Sequence, residues 1–330
     1  MIHVSIGTVG VLGLAKVPMV VAPTTAYLMV GDRCAMDCAF CTQARSSSAS
    51  DLALSRVTWP LFPLADVCER LADAQRMGVL QRCCLQVTAS TGYFPKALET
   101  VSRLRQATSL PLSVAVYLRT LDQVDALMDR GVDRIGFGLD AASERVFRQV
   151  KGAHWPSMVS LIEAAARRHP GRISTHLVVG LGETEREMVE RMLWAHRLGA
   201  WVALFAFTPV RGTALAQRPP PALDVYRRLQ AARWLIVSHQ AGPDDFAFNE
   251  DGVLCDLGLP ETGDVGLHPN PIDGQAFCTS GCPGCNRPFY NERPGGPMYN
   301  YARPLSFEET ERCRAEMAFA GVRPVSVGEG

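Results

Sequence analysis

The middle of the chain alternates short apolar runs, rich in β-branched residues, with longer amphipathic stretches. Runs of the first kind predict strands that are buried on both faces, and stretches of the second kind predict surface helices. The predicted strands are Thr25–Val30, Arg82–Thr88, Leu112–Leu118, Arg134–Leu139, Ile173–Val179 and Trp201–Phe207. The predicted helices are Leu61–Met77, Phe94–Ala107, Leu121–Asp129, Trp155–Arg168, Thr184–Arg197 and Leu223–Ser238.

Strands and helices in strict alternation predict an α/β fold with a parallel sheet, and functional groups at the carboxyl ends of its strands. The alternation alone leaves open a doubly wound sheet and a partial barrel. Beyond residue 241 the periodicity fades and Pro and Gly become frequent. We therefore expect residues 1–241 to form the α/β unit and residues 242–330 a loop-rich, cysteine-containing C-terminal extension. A last helix is predicted over Phe307–Ala320, with Ser306 and Glu309 as its capping box.

Charge and composition exclude some functions. The chain has 33 basic and 33 acidic residues among 330, so no net field attracts nucleic acid or anionic membranes. The uncharged segment Val17–Val30 is interrupted by Pro18 and Pro23 and is shorter than the ~20 residues of a membrane span. It also lacks the pattern of a signal peptide. We expect a cytoplasmic protein that binds neither nucleic acid nor membranes.

Three of the eleven cysteines stand close together directly after the first predicted strand: Cys34, Cys38 and Cys41. Three thiolates can hold a metal or an iron–sulfur cluster while leaving one coordination position open to a small molecule. Structural zinc normally closes all four positions, so an open site indicates chemistry. The alternatives are a zinc site completed by a distant residue and cysteines that only pack.

The spacing of these cysteines, with Phe40 before the last of them, resembles the C-x3-C-x-aromatic-C signature of the radical S-adenosylmethionine (SAM) enzymes. The resemblance implies a partial (β/α)6 barrel that resembles a TIM barrel. It also implies a [4Fe-4S] cluster on Cys34, Cys38 and Cys41, whose open iron binds SAM. One electron then cleaves SAM to a 5′-deoxyadenosyl radical. By the same resemblance Phe40 lies near the adenine.

The resemblance also implies three SAM contacts at later strand ends. Asp140 follows the fourth strand, where it either faces the ribose or caps the next helix. Gly180 stands in a Gly-rich turn after the fifth strand, and Thr208 follows the sixth, in the segment that touches the adenine. One segment departs from the family: Thr88–Gly92 replaces the Gly-Gly-Glu that commonly holds the amino group of SAM.

A second set, Cys278, Cys282 and Cys285, repeats the spacing of the first far downstream. With Cys255 as a fourth ligand it would form either a closed zinc site or an auxiliary iron–sulfur cluster. The cluster is favoured because the first site already implies iron–sulfur loading. Four other cysteines are expected in the core: Cys68, Cys83, Cys84 and Cys313.

The segment after the second cysteine set, residues 286–304, is rich in aromatic residues, arginine and proline. Its prolines exclude a regular helix or a central strand. We expect it to pack across the barrel mouth, near the auxiliary cluster or the substrate, with a surface wrap as the alternative. Asn286 or Arg287 would complete the coordination of the cluster if Cys255 does not.

The whole chain resembles the biotin-synthase-related radical enzymes, and three segments resemble the two-component lipoyl synthases: Gly31–Arg45, Leu54–Pro60 and Cys282–Pro288. This implies sulfur insertion into a protein-bound octanoyl chain. The implied partners are an octanoylated lipoyl domain or glycine-cleavage H protein, a related second radical SAM subunit, and an electron donor such as ferredoxin or flavodoxin. The alternatives are other sulfur insertion, cofactor maturation, or a zinc-stabilised binding protein. No catalytic side chain is predicted beyond the cluster.

Overall fold

The computed structural model describes residues 1–259, 271–292 and 295–319. Its strands are β1 (Ile2–Val4), β2 (Thr25–Val30), β3 (Ala53–Leu54), β4 (Val57–Thr58), β5 (Leu61–Phe62), β6 (Arg82–Val87), β7 (Leu112–Ala115), β8 (Arg134–Asp140), β9 (Ile173–Val179), β10 (Trp201–Ala206), β11 (Ala247–Phe248) and β12 (Leu254–Asp256). Its helices are α1 (Ile6–Val11), α2 (Leu64–Arg76), α3 (Tyr93–Ala107), α4 (Leu121–Met128), α5 (Glu144–Lys151), α6 (Trp155–Arg168), α7 (Glu185–Arg197), α8 (Leu223–His239) and α9 (Phe307–Ala315). No helix in these ranges is long and apolar enough to cross a membrane.

Six parallel strands, β2 and β6 to β10, lie side by side in the order in which they occur in the chain. A doubly wound sheet reverses its strand order at a switch point, whereas this sheet proceeds in one direction throughout. The order is that of a partial (β/α)6 barrel, so the predicted fold is confirmed. β1 and β5 extend the β2 edge in antiparallel orientation.

The element bounds follow the sequence closely, with two differences. The helix predicted from Leu61 begins at Leu64, because Leu61 and Phe62 pair with β1 as an edge strand and Pro63 is the helix N-cap. The short helix α5 was not predicted. Both predicted capping boxes, at the starts of α7 and α9, are present. The last helix ends at Ala315, and Ala320 lies outside the described residues.

The extension returns to the barrel and fills the opening between its first and last parallel strands. Ser280 Oγ accepts a hydrogen bond from Leu204 N of β10 at 2.8 Å. Asn286 Oδ1 accepts one from Thr24 N, next to β2, at 2.9 Å. Residues 280–286 run along this lateral opening, where they supply partners to main-chain groups beside the sheet. Of the segment expected across the barrel mouth, residues 286–304, Asn291 Nδ2 donates to the Ala206 carbonyl at the end of β10 at 2.8 Å.

Helix α8 anchors the rest of the extension through two buried arginines. Arg227 donates to the Tyr299 carbonyl at 2.9 Å. Arg228 pairs with Glu185 of α7 at 2.6 Å, and the same carboxylate accepts from Leu254 N of β12 at 3.3 Å. One continuous cluster of buried apolar residues spans the barrel and the described part of the extension. The barrel and the extension therefore share a core.

Candidate active site

The loop after β2, residues 31–52, carries Cys34, Cys38 and Cys41 and is called the cluster loop below. The Arg33 guanidinium holds it by donating to four main-chain carbonyls of residues 42–49, at 2.8–3.2 Å. Cys41 N donates to the Cys38 carbonyl at 3.0 Å, which makes a tight turn between the last two cysteines. These four hydrogen bonds from one side chain hold the cluster loop in its conformation.

The segment that departs from the family motif also holds the cluster loop. Thr88 Oγ1 donates to the Asp32 carbonyl at 2.6 Å, and Ser90 Oγ accepts from Asp32 N at 3.2 Å. Gly31 has a φ of +110°, and a Cβ atom there would lie 2.1 Å from Thr88 Oγ1. Glycine is required at this position because both the conformation and the close approach exclude a side chain. The hydroxyls of this segment thus fix the loop.

The three cysteines form one electrostatic group. Burial, and then the neighbouring Cys38 thiol, raise the pKa of Cys41 to about 12. Burial also raises the pKa of Cys38, and the Lys151 ammonium opposes that rise. The Cys34 thiol contributes to the raised pKa of both. Thiols of this kind become thiolates when a cation offsets their charge, as the iron of a cluster does.

Lys151 and Asp140 form a buried ion pair beside these thiols. Lys151 Nζ lies 2.6 Å from Asp140 Oδ2, and the two side chains are only 9% and 14% exposed. Burial lowers the pKa of Lys151, but the Asp140 carboxylate and the Cys38 thiol raise it, and the net effect is a raised pKa. Asp140 does not cap α5, whose N-cap is Ser143, so the helix-capping alternative is wrong. Lys151 was not among the predicted site residues, because it lies on the helix that was not predicted.

The cysteine set fits a cluster better than a single ion. In the described part of the chain, no three Cys, His, Asp or Glu side chains are gathered so as to bind one metal ion. In an iron–sulfur cube each thiolate binds a different iron, so the donors lie further apart than around zinc. Three thiols in one loop, with a cavity beside Cys41, fit such a cube with one iron left open to a small molecule.

A cavity at the carboxyl ends of the strands adjoins Cys41 and is called the strand-end cavity. Phe40, Asp140 and Thr208, three of the four predicted SAM contacts, line it. Gly180 does not line the cavity. It has a φ of +102°, and a Cβ atom there would lie 3.0 Å from Pro221 Cδ. The other lining residues are Cys41, Leu54, Ser55, His176, Val178, Phe205, Ala206, Phe207, Tyr290 and Asn291.

The members of the second cysteine set lie in two different places. Cys282 Sγ lies 3.4 Å from Ser113 Oγ of β7, and Cys285 Sγ lies 3.2 Å from the Tyr27 hydroxyl of β2. Both thiols therefore face the barrel interior, where they line a second cavity, the inner cavity.

Cys278 and Cys255 lie apart from Cys282 and Cys285. The Cys278 thiol donates to the carbonyls of Gly274 and Arg303, both at 3.4 Å. The Cys255 thiol, in β12, donates to the Val253 carbonyl at 3.4 Å. None of the contacts that the structure records for Cys255 involves another cysteine.

One residue that sequence reasoning assigned to the core lies in the inner cavity instead. Cys84 of β6 lines it together with Cys282 and Cys285. Both of these thiols raise the pKa of Cys84, after the larger effect of burial. The signal was available: neighbouring residues of a strand point to opposite faces, so one of Cys83 and Cys84 had to face the barrel interior.

The residues proposed as a substitute fourth ligand of the second set also have different positions. Asn286 is occupied in the lateral opening, where its amide donates to the Ala22 carbonyl at 2.9 Å. Arg287 lines the inner cavity, with its guanidinium 3.9 Å from the centre of the Phe205 ring. Buried His176 lines the inner and the strand-end cavities, and burial lowers its pKa to about 4, so it is neutral near pH 7.

A third, larger cavity opens beside the N-terminal segment and is called the outer groove. It has a volume of about 610 Å³, and most of its wall is apolar, with Val17, Met19 and Trp59 among the lining residues. Tyr290 lines the outer groove, the inner cavity and the strand-end cavity. The Tyr290 side chain therefore forms part of the wall of all three cavities.

The model of the Radical SAM superfamily matches residues 28–195, which is just over half of the chain and includes the cluster loop. A biotin synthase from Desulforudis audaxviator is 32% identical over 212 residues, covering 62% of each chain. A biotin synthase from Thermus thermophilus is 30% identical over 204 residues, covering 60% of each. The chain thus spans about three fifths of the length of these curated relatives.

Two solved structures share the fold at low identity. HydG, a maturase of the [FeFe]-hydrogenase, superposes with a TM-score of 0.53 at 12% identity, over 64% of this chain and 50% of that one. Methylornithine synthase (PylB) superposes with a TM-score of 0.50 at 12% identity, over 63% of this chain and 62% of that one. From the family match, the biotin synthase relatives and the strand order together, we conclude that this chain belongs to the radical SAM superfamily and is related to the biotin synthases.

Proposed function

We propose that this chain is a sulfur-inserting radical SAM enzyme of the lipoyl synthase kind, acting on an octanoyl chain attached to a carrier protein. Family membership supports the radical chemistry, and the biotin synthase relatives support sulfur insertion. The observation that carries the substrate class is the outer groove, a mostly apolar space that shares Tyr290 in its wall with the strand-end cavity.

Cys34, Cys38 and Cys41 would hold the [4Fe-4S] cluster. With SAM bound, this cluster supplies a 5′-deoxyadenosyl radical, which is able to take a hydrogen atom from an unactivated carbon. Asp140 offers a carboxylate to hydroxyl groups of a ligand in the strand-end cavity, and the ion pair with Lys151 holds that carboxylate in place. Phe40 contributes an aromatic surface to the same cavity.

The outer groove matches an acyl chain in size and polarity. Its volume of about 610 Å³ lies within the ~300–1,000 Å³ usual for small-molecule sites. Each methylene transferred from water to an apolar site contributes about 0.8 kcal/mol, so an octanoyl chain gains roughly 5 kcal/mol there. An open groove also admits a substrate whose other end stays attached to a protein.

The partners follow from this substrate. The carrier would be an octanoylated lipoyl domain or glycine-cleavage H protein. A related second radical SAM subunit would insert the other sulfur, and an electron donor such as ferredoxin or flavodoxin would reduce the first cluster. An auxiliary iron–sulfur cluster held by cysteines of the extension would be the source of sulfur.

The test is a turnover experiment under anaerobic conditions. The chain, reconstituted with iron and sulfide, is incubated with octanoylated H protein, SAM and a reductant, alone and with the second subunit. We expect 5′-deoxyadenosine together with a sulfur-containing octanoyl group, detected by mass spectrometry of the carrier. If 5′-deoxyadenosine forms but the octanoyl group gains no sulfur under either condition, the lipoyl assignment is wrong.

A matched pair of variants tests the groove itself. Met19 is 38% exposed and lines the groove, whereas Met77 is 74% exposed at the end of α2 and does not line it. Met19→Glu places a charge against the acyl chain, so we expect KM for the octanoylated carrier to rise at least ~10-fold, since a lost apolar contact of about 1.4 kcal/mol suffices for that factor. Met77→Glu is the control and should leave KM unchanged. Equal KM values for the two variants would exclude the groove as the acyl site.

A further inference from the structure

The register of the barrel strands places Cys84 between two hydroxyl side chains. Tyr27 of β2 pairs with Cys84 of β6, and Cys84 pairs with Ser113 of β7. Paired residues of adjacent parallel strands point to the same face, so these three side chains form a row inside the barrel. The extension adds Cys285 beside Tyr27 at 3.2 Å and Cys282 beside Ser113 at 3.4 Å. The two outer members of the row thus each contact one thiol from the extension.

Both hydroxyls can donate to sulfur, because each already accepts a hydrogen bond from another group. Tyr27 Oη accepts a hydrogen bond from Arg287 N at 3.0 Å, which leaves its own hydrogen for Cys285 Sγ. Ser113 Oγ accepts from the Arg82 guanidinium at 2.9 Å, which leaves its hydrogen for Cys282 Sγ. Hydrogen bonds donated to sulfur stabilise thiolates. Around an iron–sulfur cluster such bonds also orient the ligands and shift the reduction potential.

Cations and apolar walls complete the surroundings. Arg82 is 6% exposed and interacts electrostatically with both Cys282 and Cys84. The Arg287 side chain lines the same cavity. Thiolate ligands in a partly buried cavity need positive charge nearby, and a metal supplies more. The Cys278 thiol lies outside this cavity: main-chain carbonyls accept its hydrogen, and the cations that act on it are Arg233 and Arg303.

We propose that Cys84, Cys282 and Cys285 are the protein ligands of the auxiliary iron–sulfur cluster, and that Cys278 is not a ligand. The assignment rests on the proposed function for the existence of a second cluster, and on the barrel geometry for its ligands. It places the cluster in the inner cavity, which shares Leu54, His176, Phe205 and Tyr290 with the strand-end cavity. Sulfur bound there lies next to the space where the substrate radical forms.

The test measures metal content of the anaerobically reconstituted full-length chain and uses no carrier substrate. Cys84→Ala, Cys282→Ala and Cys285→Ala are compared with two controls, Cys83→Ala and Cys278→Ala. Cys83 is the adjacent buried thiol of the same strand on the opposite face, and Cys278 is a thiol of the same extension. We expect about eight irons per wild-type chain, about four in each of the three ligand variants and about eight in both controls, as two four-iron cubes require.

Spectroscopy of the same samples separates loss of the second cluster from misfolding. The reduced first cluster gives an EPR signal that changes on addition of SAM, and this signal should persist in every variant. Cys84→Ser, which keeps the size of the side chain, should lose the same iron as Cys84→Ala.

The proposal is overturned if Cys278→Ala loses the iron while Cys84→Ala keeps it, or if the wild type holds one zinc in place of the second cluster. The expected iron pattern combined with absence of sulfur on the octanoyl group would refute only the proposed function.

Discussion

Replacing Lys151 by Met removes the buried cation that lies beside both Asp140 and the cluster cysteines. Lys151 Nζ is 2.6 Å from Asp140 Oδ2 and also donates to the Gly138 carbonyl. Loss of one partner of a buried pair leaves an uncompensated charge, which costs about 3–5 kcal/mol. We therefore expect Lys151→Met to lower the free energy of unfolding of the cluster-free chain by that amount.

Urea denaturation followed by far-UV circular dichroism measures this loss, and two further variants identify its origin. Lys151→Met combined with Asp140→Leu removes both charges and should restore most of the stability, because an apolar pair of similar volume replaces a buried ion pair at little cost. Arg148→Met, on the exposed face of the same helix, breaks only a surface pair with Glu144 and should change stability by less than about 1 kcal/mol. If Lys151→Met and Arg148→Met have the same free energy of unfolding, the Lys151–Asp140 pair does not stabilise the fold.

The same substitution should alter cluster assembly. Lys151 opposes the rise that burial causes in the pKa of Cys38, so its removal leaves that pKa higher still. A smaller fraction of thiolate is then available at neutral pH, and iron incorporation should be slower at pH 7.5 and recover as the pH of reconstitution is raised. An unchanged dependence of iron incorporation on pH would contradict this.

Two further predictions concern stability. The folded-state pKa of His176 is about 4, below its usual value of about 6.5, so between these values the unfolded state binds more protons and stability falls as pH falls. From pH 7 to pH 5 this contributes a loss of about 2 kcal/mol in the cluster-free chain, which His176→Phe should abolish in urea titrations at the two pH values. Gly31→Ala should destabilise more than Gly78→Ala, since both have positive φ but only at Gly31 would the new Cβ meet another atom, Thr88 Oγ1. Equal losses in urea denaturation would argue against the close contact.

The parts of the molecule that follow a regular period were predictable. Buried parallel strands are rich in apolar residues, and six such runs predicted a parallel α/β sheet and its strand ends, while the family resemblance favoured the partial barrel. The first cysteine set was also predictable, because its members lie in one short loop directly after a strand. Asp140 and Thr208 were found through the family resemblance, which implies SAM contacts at the ends of the fourth and sixth predicted strands.

Irregular backbone explains what the sequence did not show. Cys278, Cys282 and Cys285 have the same spacing in sequence as the first set. Such spacing shows that the side chains point to one place only where the backbone conformation is known. Cys278 precedes the turn that enters the barrel, and a bridge to Tyr301 fixes its main chain on the other side. Cys84 was assigned to the core because a buried strand position looks the same in sequence whether it faces a helix or a barrel interior.

The extension links the two thiol sites of this barrel. The six parallel strands do not close on themselves: β10 is one edge of the sheet, β1 and β5 extend it beyond β2, and a gap between the two sides would let water reach the interior. Radical intermediates need a site from which water is excluded, so the gap must be filled. The segment that fills it also brings Cys282 and Cys285 into the inner cavity and Tyr290 to the junction of the three cavities. The same segment therefore closes the barrel and supplies two of its inner thiols. A variant that breaks the hydrogen bond of Ser280 or of Asn286 should impair both the closure and the placement of the thiols.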